Sequence, residues 1–325
     1  MPDPAQQARL RSIKLTALVR DHGIDISRAA PGEYAGGAAM LVDGVAWVLA
    51  EDQPERALGA AVAWGARRHA RAVELLVGDE AGLVARRAAA FSVPVQVWVV
   101  DERRLVAAEP EPLPPPAALP EHHLELRPLI VEAGAEPNVE HGVLTGEVEG
   151  LEVCRVVDDP DTGTTRLEVG VGAHDRELFQ LVHGDRPTVD ALADVVSAVA
   201  EHRRANGGLR HPLNGLAPER AMRAALVRDP SPLGATWLRA VPPPVPRRSL
   251  KDTAPCVAIA GIDGVEHTVV VSHGVDLDVV PFAIDARVAT GVGPTVVAAR
   301  RCDLLPVQEL LAAAVREPLR MVALD

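Results

Sequence analysis

The chain has 325 residues, 48% of them hydrophobic, and a formal net charge of −12 at pH 7. That length is enough for two or three real cores, and the acidic balance disfavours nucleic acid as a partner, because phosphate affinity comes mainly from Lys and Arg. Lys14 and Lys251 are the only lysines among 33 basic residues; neither has the Gly-Lys-Ser/Thr context of a phosphate loop, and neither suits a Schiff base.

Several further classes are disfavoured by composition. One Tyr and three Phe leave few platforms for base stacking. Trp47, Trp64, Trp98 and Trp237 lie in apolar contexts and are predicted to be core. Cys154, Cys256 and Cys302 are odd in number and far apart, which reads as three small buried side chains rather than a disulfide frame or a zinc site. The first residues lack a basic start and an apolar run, and no uncharged stretch approaches the ~18 residues of a spanning helix. The expectation is a cytoplasmic protein without a membrane partner.

In chain order, the first part (1–108) opens with an amphipathic helix over Gln6–Arg20, carrying Leu10, Ile13, Ala17 and Leu18 on one face. Ala38–Val42 and Val45–Ala50 flank Asp43-Gly44, the signature of a hairpin closed by a two-residue type I′ turn. Asp52 is placed as the cap of a helix through Leu58 and Val62, a strand follows at Val73–Val77, Asp79 caps a second helix, and Val95–Val100 is a strand. The Pro-rich stretch Glu109–Pro120 ends this part.

The middle part (121–240) is predicted as an α+β domain. Its elements are a strand near Val139–Leu144, a hairpin of Gly146–Val157 with Thr165–Gly172, helices over Val189–Arg204 and Glu219–Val227, and a strand at Thr236–Val241. A second Pro-rich stretch, Val241–Pro255, leads to the last part (255–325). There the first pattern returns: Cys256–Ala260, a turn at Asp263-Gly264, His267–His273, a helix opened by Asp278, the strand Thr295–Ala299, a helix opened by Asp303, and the strand Leu319–Leu324. The fold class is therefore α/β, with two related hairpin-α-β-α-β units at the ends flanking the middle domain. Residues 36–100 and 256–324 are expected to superpose.

The α-β-β-β-α-β order of the middle part resembles the core of the restriction-endonuclease-like (PD-(D/E)XK) nucleases. That resemblance implies magnesium held by an acid on the second strand and an acidic-x-lysine on the third. The pairing expected for the hairpin puts Glu152 and Glu168 on one face with Cys154, Val156, Arg166 and Gly170, and Val153, Val157, Leu167 and Val169 on the other. Glu152 and Glu168 are thus candidate metal ligands. Arg166, Arg176 or His174 would stand near the phosphate, since Gly170 occupies the position of the family's lysine. The middle part holds 12 Arg against 20 acidic residues, which argues against a polyanionic substrate.

Two other places are candidates for ligand binding. Ser272–Asp278 follows a strand end, where α/β folds place ligands, and offers His273, Gly274 and Asp276. The segment 202–212 offers Arg203, Arg204 and Arg210 in a basic, Gly-containing loop, although arginines there also suit a helix C-terminus. No histidine pair has the spacing of a known metal motif.

These features favour a non-catalytic binding or assembly protein without a cofactor, acting as a homo-oligomer or with a protein partner. The alternatives are a magnesium-dependent phosphodiesterase in the middle part and small-ligand binding in the last part.

Overall fold

A computed structural model describes residues 3–160, 162–172, 175–177, 188–203, 211–246 and 254–325. It is a mixed α/β fold with three sheets. The first sheet has six strands in chain order: β1 (Ala30–Gly32), β2 (Gly37–Val42), β3 (Val45–Ala50), β4 (Ala72–Val77), β5 (Val95–Asp101) and β6 (Arg104–Ala107). β3, β4 and β5 run parallel, and the outer pairs are antiparallel. Helix α1 (Pro4–Asp21) buries Leu15, Leu18 and Val19 against Met40, Trp47, Leu49 and Leu76. Helices α2 (Leu58–Ala66) and α3 (Ala81–Ala88) make the crossovers between the parallel strands.

The second sheet is an antiparallel meander: β7 (Glu136–Glu140), β8 (Val143–Val148), β9 (Leu151–Asp158) and β10 (Thr165–Val169). Its apolar face packs Cys154, Val156 and Val169 with Ile130 of α4 (Arg127–Glu132) and with Leu192, Val196 and Val199 of α5 (Thr188–His202). The expected strand at 139–144 and the first arm of the expected hairpin are redistributed. His141-Gly142 and Glu149-Gly150 are both two-residue turns with positive φ at both positions, so the two expected segments become three strands.

The third sheet contains β11 (Ala235–Val241), β12 (Cys256–Ile262), β13 (Val265–Val271), β14 (Thr295–Arg300) and β15 (Arg320–Leu324), in that order. Helix α6 (Pro218–Arg228) covers β11 and β12, with Met222 and Leu226 in the core. β11 pairs with β12 and belongs to this sheet rather than to the meander. Helices α7 (Val279–Thr290) and α8 (Pro306–Ala313) complete the chain's regular elements.

The order hairpin, helix, strand, helix, strand appears at both ends, over β2–β5 and over β12–β15. Asp43 and Gly44 have φ of 46° and 77°, and Asp263 and Gly264 have φ of 51° and 77°, so both hairpins close through the expected type I′ turn. The helix starts differ from expectation. Asp52 pairs with Arg11 instead of capping α2, whose cap position is Ala57. Asp79 is exposed ahead of Glu80, and the Gln308 side chain, not Asp303, accepts the Leu305 amide at the start of α8. Trp237 and Cys302 are exposed rather than core.

The chain divides into two compact units, Met1–Leu113 with Val275–Val288 and Cys302–Met321, and Pro114–Gly274 with Ala289–Arg301 and Val322–Asp325. In the first unit α2 packs on α8, and the contact just before α7 requires a glycine. A Cβ on Gly59 would lie 1.9 Å from the Leu277 carbonyl oxygen. The same unit contains a short antiparallel bridge between Phe91 and Val315. The Ser92 amide donates to Ala314 O at 2.8 Å and the Arg316 amide to Ala90 O at 2.9 Å. The two partners follow α3 and α8 in matching sequence, Ala-Ala-Ala-Phe-Ser-Val-Pro-Val at 88–95 and Ala-Ala-Ala-Val-Arg-Glu-Pro-Leu at 312–319.

Candidate functional site

The polar face of the meander is where the sequence places its sharpest chemistry. Cys154 pairs with Val169, Val156 with Leu167, and Arg155 with Glu168. Strict alternation along β9 would therefore separate Glu152 from Glu168. The register shifts between Gly146 and Glu147, so that Gly146 faces Cys154 while Glu147 faces Glu152, with Val153 as the extra residue. This bulge turns Glu152 onto the face of Arg155 and Glu168. Cys154 and Val156, expected on that face, lie in the apolar core with Val153, Leu167 and Val169. The two carboxylates do share a face, but by a bulge and not by the expected diagonal.

Arginines surround both. Arg155 Nε donates to Glu152 Oε1 at 2.7 Å, and Arg176 Nη1 donates to the same oxygen at 3.1 Å. Arg176 Nε lies 3.5 Å from Glu168 Oε2, and Arg166 Nη2 donates to Glu168 Oε1 at 3.1 Å. Arg166 also pairs with Asp159 at 3.6 Å. Arg176 is thus a buried bridge between the two candidate metal ligands. His174 lies outside the described residues.

The same face continues towards β7. Arg220 and Arg223, on α6, both pair with Glu140 and with Glu147, and Asn138 Nδ2 donates to Glu147 at 2.8 Å. Burial alone would raise the Glu140 carboxyl, but Arg220 and Arg223 hold it below the usual range. Burial pushes the Cys154 and Cys256 thiols up to about 12, so neither is a thiolate nucleophile near neutral pH.

Of the three arginines of the basic loop, Arg203 lies within the described residues. Arg203 is 1% exposed, and its guanidinium donates to the carbonyls of Glu149, Leu213, Leu216 and Ala217. It ties the end of α5 to the β8–β9 turn and to residues 213–217. Arg204 and Arg210 lie outside the described residues.

In the segment after β13, Ser272 is buried and His273 and Gly274 are half-buried. Asp276 is fully engaged: Oδ2 lies 2.9 Å from Arg56, and Oδ1 accepts the Asp278 amide at 2.9 Å. The Asp278 backbone carbonyl opens α7, accepting from Phe282 at 2.9 Å, while its side chain pairs with Arg87 at 3.1 Å. Arg87 also meets Asp285 at 2.7 Å, and Arg86 grips Asp285 through both carboxylate oxygens. Burial pushes the Asp278 carboxyl up to about 7 against the opposing pull of Arg87.

One cluster was not legible as a motif. His122 and His123, in a short 3-10 turn at Glu121–Leu126, meet Asp158 at the end of β9. His122 Nε2 lies 3.0 Å from Asp158 Oδ1, and His123 Nε2 lies 3.1 Å from the same oxygen. Thr165, cross-strand from Asp158, donates to Oδ1 at 2.8 Å. The hydrogen bond from Thr165, then that from His122, hold the Asp158 carboxyl down at about 2. Among the described residues this is the one group of three His, Cys, Asp or Glu side chains whose donor atoms all approach within 4.8 Å.

Compared with known proteins, the chain matches no family model, no curated protein and no solved structure.

Proposed function

We propose that this chain is a cytoplasmic binding or assembly protein that does not act through the carboxylates of its middle part. The observation that supports this reading is the arginine Arg176, shared by Glu152 and Glu168, with Arg155 also on Glu152 and Arg166 also on Glu168. A magnesium ion takes oxygen ligands whose lone pairs face it. Here Glu152 Oε1 and both Glu168 oxygens meet guanidinium groups, which also offset the charge that would attract the cation. Among the described residues no helix is long and apolar enough to cross a membrane.

The competing reading, a magnesium-dependent phosphodiesterase of restriction-endonuclease-like layout, requires the same two carboxylates to exchange arginine for metal. A direct assay separates the two. Purified protein is incubated with fluorescent single- and double-stranded DNA and RNA in millimolar magnesium or manganese. The expected outcome is no cleavage above that of Glu168→Gln. Cleavage present in the natural chain and absent in Glu168→Gln overturns the binding reading. Sedimentation over a range of concentrations then reads self-association, the simplest form of assembly.

A further inference from the structure

We infer that His122, His123 and Asp158 form a binding site for a single divalent transition ion, zinc by its donor chemistry. The inference does not depend on the binding-protein reading above. It rests on geometry first. Zinc takes imidazole nitrogen at 2.0–2.1 Å and carboxylate oxygen at 2.0–2.2 Å, so tetrahedral donors lie roughly 3.3 Å apart. The two histidine Nε2 atoms lie 3.0 and 3.1 Å from Asp158 Oδ1, close to that spacing, and the three residues offer ligand atoms that all lie within 4.8 Å of one another.

A second and independent observation is His123 itself. The residue is 6% exposed, and neither of its ring nitrogens makes a hydrogen bond. Its Nε2 approaches Asp158 at ion-pair distance but out of hydrogen-bonding alignment. A buried imidazole whose one close polar contact is misaligned costs stability. Ligation through Nε2 replaces that misaligned contact with a directed bond. The two rings are edge to face, 4.7 Å between centroids and 82° between planes, so their nitrogens converge without the rings stacking.

The surroundings match a metal site in two further respects. Thr165 Oγ1 donates to Asp158 Oδ1 and fixes the carboxylate, the orienting role that partners of metal ligands commonly play. His122 and Asp158 are partly exposed, with side-chain exposures of 51% and 43%, so an ion has an entry path and a fourth position open to water. Two nitrogens and one carboxylate oxygen favour zinc, cobalt, nickel or copper over magnesium, which prefers all-oxygen octahedra. Binding needs both imidazoles neutral, so affinity falls in acid.

The test uses the full chain, stripped of metal by chelator and dialysis. Titration with zinc against a chromophoric chelator should show one ion per chain, and cobalt should give the visible absorption of a low-coordinate nitrogen–oxygen site. His122→Ala and Asp158→Asn each remove a ligand and should lower zinc affinity by at least about tenfold. Thr165→Val removes only the orienting bond and should lower it about tenfold. Magnesium should not compete. Should one variant fail to fold by circular dichroism, the other two carry the same reading. The proposal is overturned if the natural chain takes up no stoichiometric zinc, or if folded His122→Ala and Asp158→Asn bind it as the natural chain does.

Discussion

Two buried ion networks hold the two compact units, and they are wired differently. In the first unit a single arginine, Arg87, serves both Asp278 and Asp285; Arg86 is a second partner for Asp285 only. In the second unit Arg220 and Arg223 each meet both Glu140 and Glu147, so every member has two partners of opposite charge. A hub concentrates the electrostatic balance in one side chain, and a two-by-two ladder spreads it. Removing one partner of a buried pair leaves an uncompensated charge, which is the expensive outcome; a ladder avoids it by redundancy.

The largest expected effect follows from the hub. Arg87→Met should cost about 3–5 kcal/mol in urea unfolding, because Asp285 is fully buried and Asp278 loses its ion pair in the same change. Arg220→Met breaks an ion pair of similar burial but leaves Arg223 on both glutamates and Asn138 on Glu147. It should cost only about 1–2 kcal/mol. Equal losses from the two variants would show that redundancy of partners is not what separates the networks.

A smaller, pH-dependent effect sharpens the comparison. The Asp278 carboxyl is raised in the fold from 3.8 to about 7, so the folded state holds its proton more tightly than the unfolded chain. Its contribution is fully present below the unfolded value and is lost as pH rises towards 7. Asp278→Asn, which cannot ionise, should therefore gain stability relative to the natural chain between about pH 4 and pH 7, with no further gain above. Unfolding midpoints of the two proteins across that window check it. A constant difference would mean that Arg87 holds the carboxylate ionised throughout.

The legibility of the sequence followed the same division between local and distant. Asp-Gly between apolar runs located both end hairpins, since that turn needs positive φ and those residues tolerate it. His141-Gly142 and Glu149-Gly150 make the same turn without the Asn or Asp that marks it in a sequence, and so three strands were read as two. The shared face of Glu152 and Glu168 was anticipated, but the bulge at Val153 that produces it depends on β8 and leaves no mark in β9. The arginines that pair with those carboxylates come partly from beyond the hairpin. Neither Arg87 with Asp278 nor His123 with Asp158 has a spacing that any local pattern reads; folding alone brings them together.

The bridge between Phe91 and Val315 has a consequence for how the first unit stays assembled. Ser92 and Arg316 occupy matching places after matching alanine runs, as do Ala90 and Ala314, so each hydrogen bond is the image of the other. Contacts that exchange equivalents are those by which two identical copies close on each other around a two-fold axis. Here both halves belong to one covalent chain, and the encounter is intramolecular, set by tether and not by protein concentration. Dilution, which dissolves an ordinary dimer, leaves this pairing untouched.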